Sequence, residues 1–516
     1  MLVRIEPRTL ADRVSVGSGR TAQDIVNAGL TYRDTQGLPQ PYLVEELPRL
    51  GTDSWRVFPD GRMETVYRLR PGLVWHDGAP LTAEDFVFTE RVVTDPSSKV
   101  FAKVGKPTQL DEMVAADART LVFRWKGPDR QAGEQLYEPL PKHILEADFE
   151  RGDPDGFANR PYWTSEYVHL GAYRVVRWEP GAFIEAAAFA QHALGAPRIE
   201  RLKILWAPDP NVAVANLMAG EVHFAVDQSV SFDGALLLKR AWETSKAGNI
   251  LLTPASVRYL QVQVRPDYVR PTALLDPNVR KALVHSIDKT ELADAILQGM
   301  GSPADMLEPP PGSDAYAAAQ RAITRYPYDL RRAEQLLNAA GFQKGADGFY
   351  TGPAGRLDPD VRARAGQEDQ EATIVVDGWR RSGLDASLTV VTAAQAANQE
   401  FRSTFPGLSV AQTTMGEDTA LGKLVSWNVP GPTNRWTGTN RGAWAHPEYD
   451  RLVTEFNSSL ERDKQLDLIT QAMKLMSEEV AAIPLYYSYD VAAHTSGLMG
   501  PRDAVNFWNI HQWEWR

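Results

Sequence analysis

Helix-period and strand-period segments alternate from one end of this chain to the other, and few architectures accept that pattern. Residues 2–5 read as a short strand closed by Pro7. Residues 21–30 place Ile25, Val26 and Leu30 at helical spacing behind Thr21 as N-cap. Residues 65–70 alternate around Val66, Tyr67 and Leu69, as a half-buried strand does. Thr82, with Asp85 three residues on, is a capping-box pattern that opens a helix. Further strands are predicted at 171–178, 199–206, 258–264 and 483–489. Further helices are predicted at 212–218, 277–297 and 330–340, ended by Gly220, Gly299 and Gly341, and across most of 446–475. Strands and helices interspersed in this way predict mixed α/β layers.

At 516 residues the chain has room for two to four domains of about 100–200 residues each. No internal repeat and no low-complexity linker marks a boundary, which fits domains that the chain enters more than once. Hydrophobic residues make up 43% and charged residues 23%, so there is apolar surface for several cores and a disordered chain is excluded. No stretch supplies the roughly 18 apolar residues of a spanning helix. Fifty-five basic residues against sixty-six acidic ones leave a net charge of −11. With no basic run, neither nucleic acid nor an anionic membrane surface is an expected partner. The absence of cysteine removes disulfides, thiol nucleophiles, thiolate-bound zinc and iron–sulfur clusters together.

Motifs for bond-breaking chemistry are scarce. The nine histidines form no His-Glu-x-x-His pair, and no Gly-x-Ser-x-Gly elbow or Walker loop occurs. Gly17-Ser18-Gly19-Arg20-Thr21-Ala22 fits a loose dinucleotide pattern that, alone, reads as a loop before a helix. The pair Glu84-Asp85 falls in the first turn of a predicted helix, where the helix dipole favours acids. Glu417-Asp418 lies in an irregular Thr- and Gly-rich stretch, and its role stays open. No catalytic residue, metal site or cofactor is assigned. Three of the fourteen tryptophans, Trp427, Trp436 and Trp444, fall in one loop-rich region among Asn428, Asn434, Arg435, Asn440 and Arg441. Such faces suit stacking on sugar rings or packing on peptide side chains, or else the filling of a domain core.

The stretch from Tyr67-Arg68-Leu69-Arg70-Pro71-Gly72 through Trp75-His76-Asp77-Gly78 to Leu81-Thr82-Ala83-Glu84-Asp85-Phe86 closely resembles the signature of the family 5 extracytoplasmic solute-binding proteins. These are the peptide, nickel and oligosaccharide binding components of ABC importers. The resemblance continues in order through Leu170-Gly171-Ala172-Tyr173, Leu217-Met218-Ala219-Gly220-Glu221 and Asp276-Pro277-Asn278-Val279-Arg280 with Ser286-Ile287-Asp288-Lys289. It ends in Ala340-Gly341-Phe342 and Ala481-Ala482-Ile483-Pro484-Leu485-Tyr486-Tyr487. Trp75 to Gly78 reads as a strand end and turn, and Arg280 and Asp288 as packing and capping residues, so the signatures are expected to be scaffold.

The resemblance implies an α/β, two-lobed periplasmic-binding-protein-like fold of type II, in the large cluster with an extra subdomain in lobe I. Lobe I is expected at 1–253 plus 488–516, with the subdomain at about 49–166, and lobe II at 254–487. The lobes are expected to close on a ligand by a hinge. The implied protein is a monomeric, non-enzymatic component of an ABC importer, working with a permease and ATPase complex on the periplasmic or extracellular face of the membrane. Because the sequence starts at the first expected strand, it is read as a mature chain lacking its leader and any lipid anchor. A receptor or chaperone on the same fold, or remotely a hydrolase, are the alternatives.

Ligand contacts are expected from Val16, Gly17 and Ser18 in the loop after the first strand. In lobe II, peptide binders of this family carry a Trp-x-Gly-Asp-like motif whose aspartate pairs with the ligand's amino group. Here the stretch reads Ala411-Gln412-Thr413-Thr414-Met415-Gly416-Glu417-Asp418, without the tryptophan and with the acid displaced to Glu417 or Asp418. Gln412, Thr413 and Thr414 offer neutral hydrogen bonds, and Trp427, Trp436 and Trp444 offer stacking. These features tilt the expectation toward an oligosaccharide-like or other uncharged polar cargo over an oligopeptide. Arg435 and Arg441 keep an anionic ligand open.

Overall fold

Short apolar strands with helices between them build sheets whose strands come from different parts of the chain. A computed structural model describes residues 1–11, 20–35, 37–100, 109–135, 138–307, 309–353, 355–416 and 421–516. The chain divides into two compact units, Met1–Thr253 with Asp490–Arg516, and Pro254–Tyr489. Two long strands, Gly248–Val262 and Ala482–Thr495, carry the chain from one unit to the other and back.

In the first unit, Leu2–Val3 is fully buried and lies parallel to Arg201–Trp206 on one side and Phe224–Ala225 on the other. Phe183–Ala188 and Tyr173–Glu179 continue the sheet antiparallel beyond Arg201–Trp206. A separate four-stranded antiparallel sheet runs in the order Trp55–Val57, Met63–Arg68, Thr120–Trp125, Leu110–Asp117. In Met63–Arg68, Met63, Thr65 and Tyr67 are buried in alternation, the period-2 pattern of a one-sided strand. The helix Ala83–Thr94 opens as its sequence predicts: the Thr82 backbone N–H donates to Asp85 at 2.8 Å. Trp75 and His76 are buried and Gly78 adopts φ +91°, so this part of the signature is scaffold.

In the second unit, Ser387–Val391, Asp360–Arg364 and Leu408–Thr414 are neighbours in parallel, and Leu408–Thr414 then pairs antiparallel with 256–262. The helix Gln367–Ser382 covers one face through Ala372, Val375, Val376 and Trp379. Helices Asp314–Ala322, Pro447–Ser458 and Arg462–Glu479 share a core with Tyr259, Val453 and Met473. The predicted single helix 277–297 is two helices, Pro277–His285 and Lys289–Leu297. Asp288 accepts from the backbone N–H groups of Thr290 and Glu291 and so starts the second helix. The Asp329 N–H takes the His285 carbonyl that a continuing helix would have used. Arg280 donates to the carbonyls of Leu274, Leu275 and Glu479, a packing role as its place in the signature predicts.

Among the described residues, no helix is long and apolar enough to cross a membrane.

Candidate functional site

Strand register in the second unit builds one face of a cavity. Arg362 pairs with Ser409, and Ser409 pairs with Gln261, so these three side chains stand in one row across three strands. Ala411 and Tyr259 form the next row, and the period-2 alternation brings Arg364 to the same face as Arg362. Two short helices close a side. Thr392 and Gln395 form a capping box at the start of Ala393–Ala397, and Asn398 caps Gln399–Ser403. These caps seat Phe401 and Arg402 at the wall. The segment after the described break supplies Lys423, Thr439 and Arg441. The cavity has a volume of about 280 Å³, near the lower bound of small-molecule pockets.

Among the described residues its lining carries the cations Arg362, Arg364, Arg402, Lys423 and Arg441 and one carboxylate, Glu368. Arg364 is committed: its Nε donates to Glu368 at 2.9 Å and its Nη2 also bonds that carboxylate. Burial works against the charge of Glu368, but the Arg364 hydrogen bonds outweigh it and lower its pKa. Arg362 donates to the Phe401 carbonyl at 3.1 Å and lies 4.2 Å over the Phe401 ring. Among the described residues, the guanidinium groups of Arg402 and Arg441 make neither a hydrogen bond nor an ion pair, and the Arg441 Nε is buried. Burial first, then the positive charges of Arg402 and Arg364, push Arg441 down to about 10. Burial and the charge of Arg364 also lower Arg402.

The floor is fixed by hydrogen bonds. Gln261 donates through Nε2 to the Tyr259 hydroxyl and to the Thr439 carbonyl, both at 3.1 Å. Gln412 accepts from Arg258 Nη1 at 2.8 Å, so its carbonyl is spent inside the protein.

Of the residues named from the sequence, the cavity takes Gln412 and Arg441. Thr413 points into the core, while Thr414 is exposed. Trp444 is 5% exposed and packs edge-on against Tyr449 in the hydrophobic core, so its face is not offered to a ligand. Asn440 holds that loop by donating to the carbonyls of Leu424, Val425 and Trp444. Trp436 packs under Arg265, whose guanidinium lies 5.8 Å from its ring. Trp427 is 56% exposed, and neither it nor the exposed Arg435 lines the cavity. Val16, Gly17, Ser18, Glu417 and Asp418 lie outside the described residues. Arg362, Arg364, Arg402 and Lys423 were not singled out from the sequence. The Arg362-Ala363-Arg364 alternation beside buried Val361 is the one signal that would have marked a charged strand face. Among the described residues, no group of three or more His, Cys, Asp or Glu is placed to hold a metal.

Residues 47–426 match the family "Bacterial extracellular solute-binding proteins, family 5 Middle". Protein XP55 of Streptomyces lividans is 28% identical over 433 residues, covering 83% of this chain and 70% of that protein. The dipeptide-binding protein of Escherichia coli K12 is 23% identical over 471 residues, covering 86% of this chain and 81% of that protein. The structure of an oligopeptide-binding protein from Thermus thermophilus, complexed with a pentapeptide, superposes with a TM-score of 0.73 at 19% identity. That superposition covers 100% of this chain and 96% of the other, and it establishes the two-lobed binding-protein fold.

Proposed function

This chain belongs to the family 5 bacterial extracellular solute-binding proteins, and from that premise we propose that it captures a small polar solute, oligopeptide-like in size, for uptake by an ABC permease and its ATPase. The work is done outside the cytoplasm, on the periplasmic or extracellular side of the membrane. The cavity of about 280 Å³ in the second unit carries the proposal, because it pairs a hydrogen-bonded floor with side chains that have donors to spare. Dipeptide and pentapeptide binding by the relatives favours a peptide-like cargo over an oligosaccharide. Capture needs no covalent step: the bound form is favoured by its contacts and released by exchange.

Native mass spectrometry on the protein as purified, set against its denatured mass, tests this reading. The expected result is a discrete added mass, released as an intact small molecule. A bare chain that also shows no thermal shift across peptide, sugar and small-anion panels would defeat it, since a ligand of the native state must raise the melting temperature.

A further inference from the structure

Two of the guanidinium groups at this cavity are unanswered among the described residues. The whole chain carries −11, yet this wall gathers four guanidinium groups, and among the described residues that line it Glu368 is the one carboxylate facing them. Arg364 has Glu368, and Arg362 has the carbonyl and ring of Phe401. Arg402 and Arg441 have no such partner among the described residues.

We infer that the solute carried in this cavity bears an oxyanion group of two negative charges, a phosphate ester or a pair of carboxylates, held by Arg402 and Arg441. The inference rests on the proposed function and specifies its cargo. A guanidinium presents a planar fork of N–H donors that matches the two oxygens of a carboxylate or phosphate. A neutral solute filling the cavity would strip water from both groups and return no charge. A dianion restores the lost solvation and relieves the repulsion that depresses Arg441. Clefts lined with one sign of charge also concentrate opposite-charged ligands at the entrance. An uncharged sugar or a peptide with neutral side chains is therefore the poorer cargo.

The test is a thermal-shift and calorimetric titration in Tris buffer at fixed ionic strength, with probes paired by charge. Glucose 6-phosphate is compared with glucose, and succinate with succinamide; trialanine is added as a neutral-side-chain peptide. The expected result is that one anionic member binds about tenfold or more tighter than its neutral counterpart, as one charge-assisted pair supplies. The responding pair tells phosphate from dicarboxylate. Arg402→Gln and Arg441→Gln should each weaken the anionic probe about tenfold, and Arg441→Lys should weaken it less. Arg402 is half-buried, so its variant keeps the test open if one at Arg441 fails to fold. The inference is overturned if neither anion exceeds its neutral counterpart, or if both glutamine variants bind the anion as wild type does. Binding of trialanine or glucose alone would leave the solute-capture reading standing without it. Silence across the whole panel overturns the inference, and only together with a bare native mass would it remove the solute-capture reading as well.

Discussion

Arg258 and Glu371 form an ion pair sealed from water, with Nη2 to Oε2 at 2.7 Å and side chains 4% and 0% exposed. The Arg258 Nε donates to the same carboxylate at 2.9 Å, and the Tyr486 hydroxyl donates to Glu371 Oε1 at 2.5 Å. Burial opposes the Arg258 charge, but Glu371 outweighs it and raises the pKa. Arg258 and Tyr486 come from the two long strands and Glu371 from the helix Gln367–Ser382, so one carboxylate ties three elements. Removing one partner of a buried pair strands the other charge. Glu371→Gln should therefore cost about 3 kcal/mol or more, read from urea midpoints. The double variant Arg258→Met/Glu371→Leu should recover most of that loss. A Glu371→Gln protein as stable as wild type would show that the pair is not sealed.

The uncommitted Arg441 should behave in the opposite way. Its charge is buried beside Arg402 and Arg364 with no counter-charge of its own among the described residues. Arg441→Met removes the repulsion and keeps the apolar stem, so the ligand-free protein should gain about 1 kcal/mol, a rise of roughly 2–4 °C in melting temperature. The same variant should lose the stabilisation that an anionic probe gives the wild type. A variant that melts lower than wild type would mean that Arg441 is held for structure.

His76 and His192 make the first unit acid-labile. His76 Nε2 donates to the Gly171 carbonyl at 3.0 Å, while its Nδ1 accepts from the His169 N–H at 3.3 Å, so the ring is neutral. His192 lies between the Tyr42 hydroxyl and the Gly195 carbonyl. Burial pushes each imidazole from 6.5 down to about 4. The unfolded chain binds these protons first, so the stability is complete above pH 6.5 and is lost as the pH falls toward 4. The slope is about 1.4 kcal/mol per pH unit for each ring. Buried Asp85 and Asp503 and half-buried Asp490, all raised chiefly by burial, act in the other direction near the ordinary carboxylate range. Urea midpoints between about pH 6.5 and pH 5 report these rings together with His223, His494 and His511, which burial also lowers, and His192→Gln should reduce the slope by about 1.4 kcal/mol per pH unit. A flat profile over that interval would contradict the neutral assignment.

Local chemistry was readable wherever one residue decides the backbone. The Thr82–Asp85 box and Gly220, with φ +74° after Pro210–Ala219, are of this kind. The break at 286–288 was not, because the periodicity of Val279, Leu283, Ile287 and Leu292 runs across it and a distant Asp329 N–H competes for the His285 carbonyl. The site was legible only in part, for a related reason. Loop tryptophans look alike in sequence, and only packing against Tyr449 shows Trp444 to be core. Arg362, Arg402 and Arg441 lie far apart along the chain and meet through strand register and a folded-back loop, which no local pattern encodes.

Gly171 supplies the last expectation, and its reason is space. A Cβ there would stand 2.3 Å from the Val26 carbonyl carbon and 2.5 Å from its oxygen. Both sides are pinned, since the Gly171 N–H donates to the Val26 carbonyl at 2.9 Å and its own carbonyl accepts from His76. Backbone cannot yield as a side-chain tip can, so Gly171→Ala should cost about 3 kcal/mol. Gly220→Ala is the control: φ is +74° but nothing lies within 4 Å of the new Cβ, so only left-handed strain of about 1 kcal/mol applies. Urea denaturation of the two variants side by side decides the matter. A Gly171→Ala protein no less stable than Gly220→Ala would mean that the helix Arg20–Val26 can shift away from this strand entry, and that the contact is looser than its hydrogen bonds indicate.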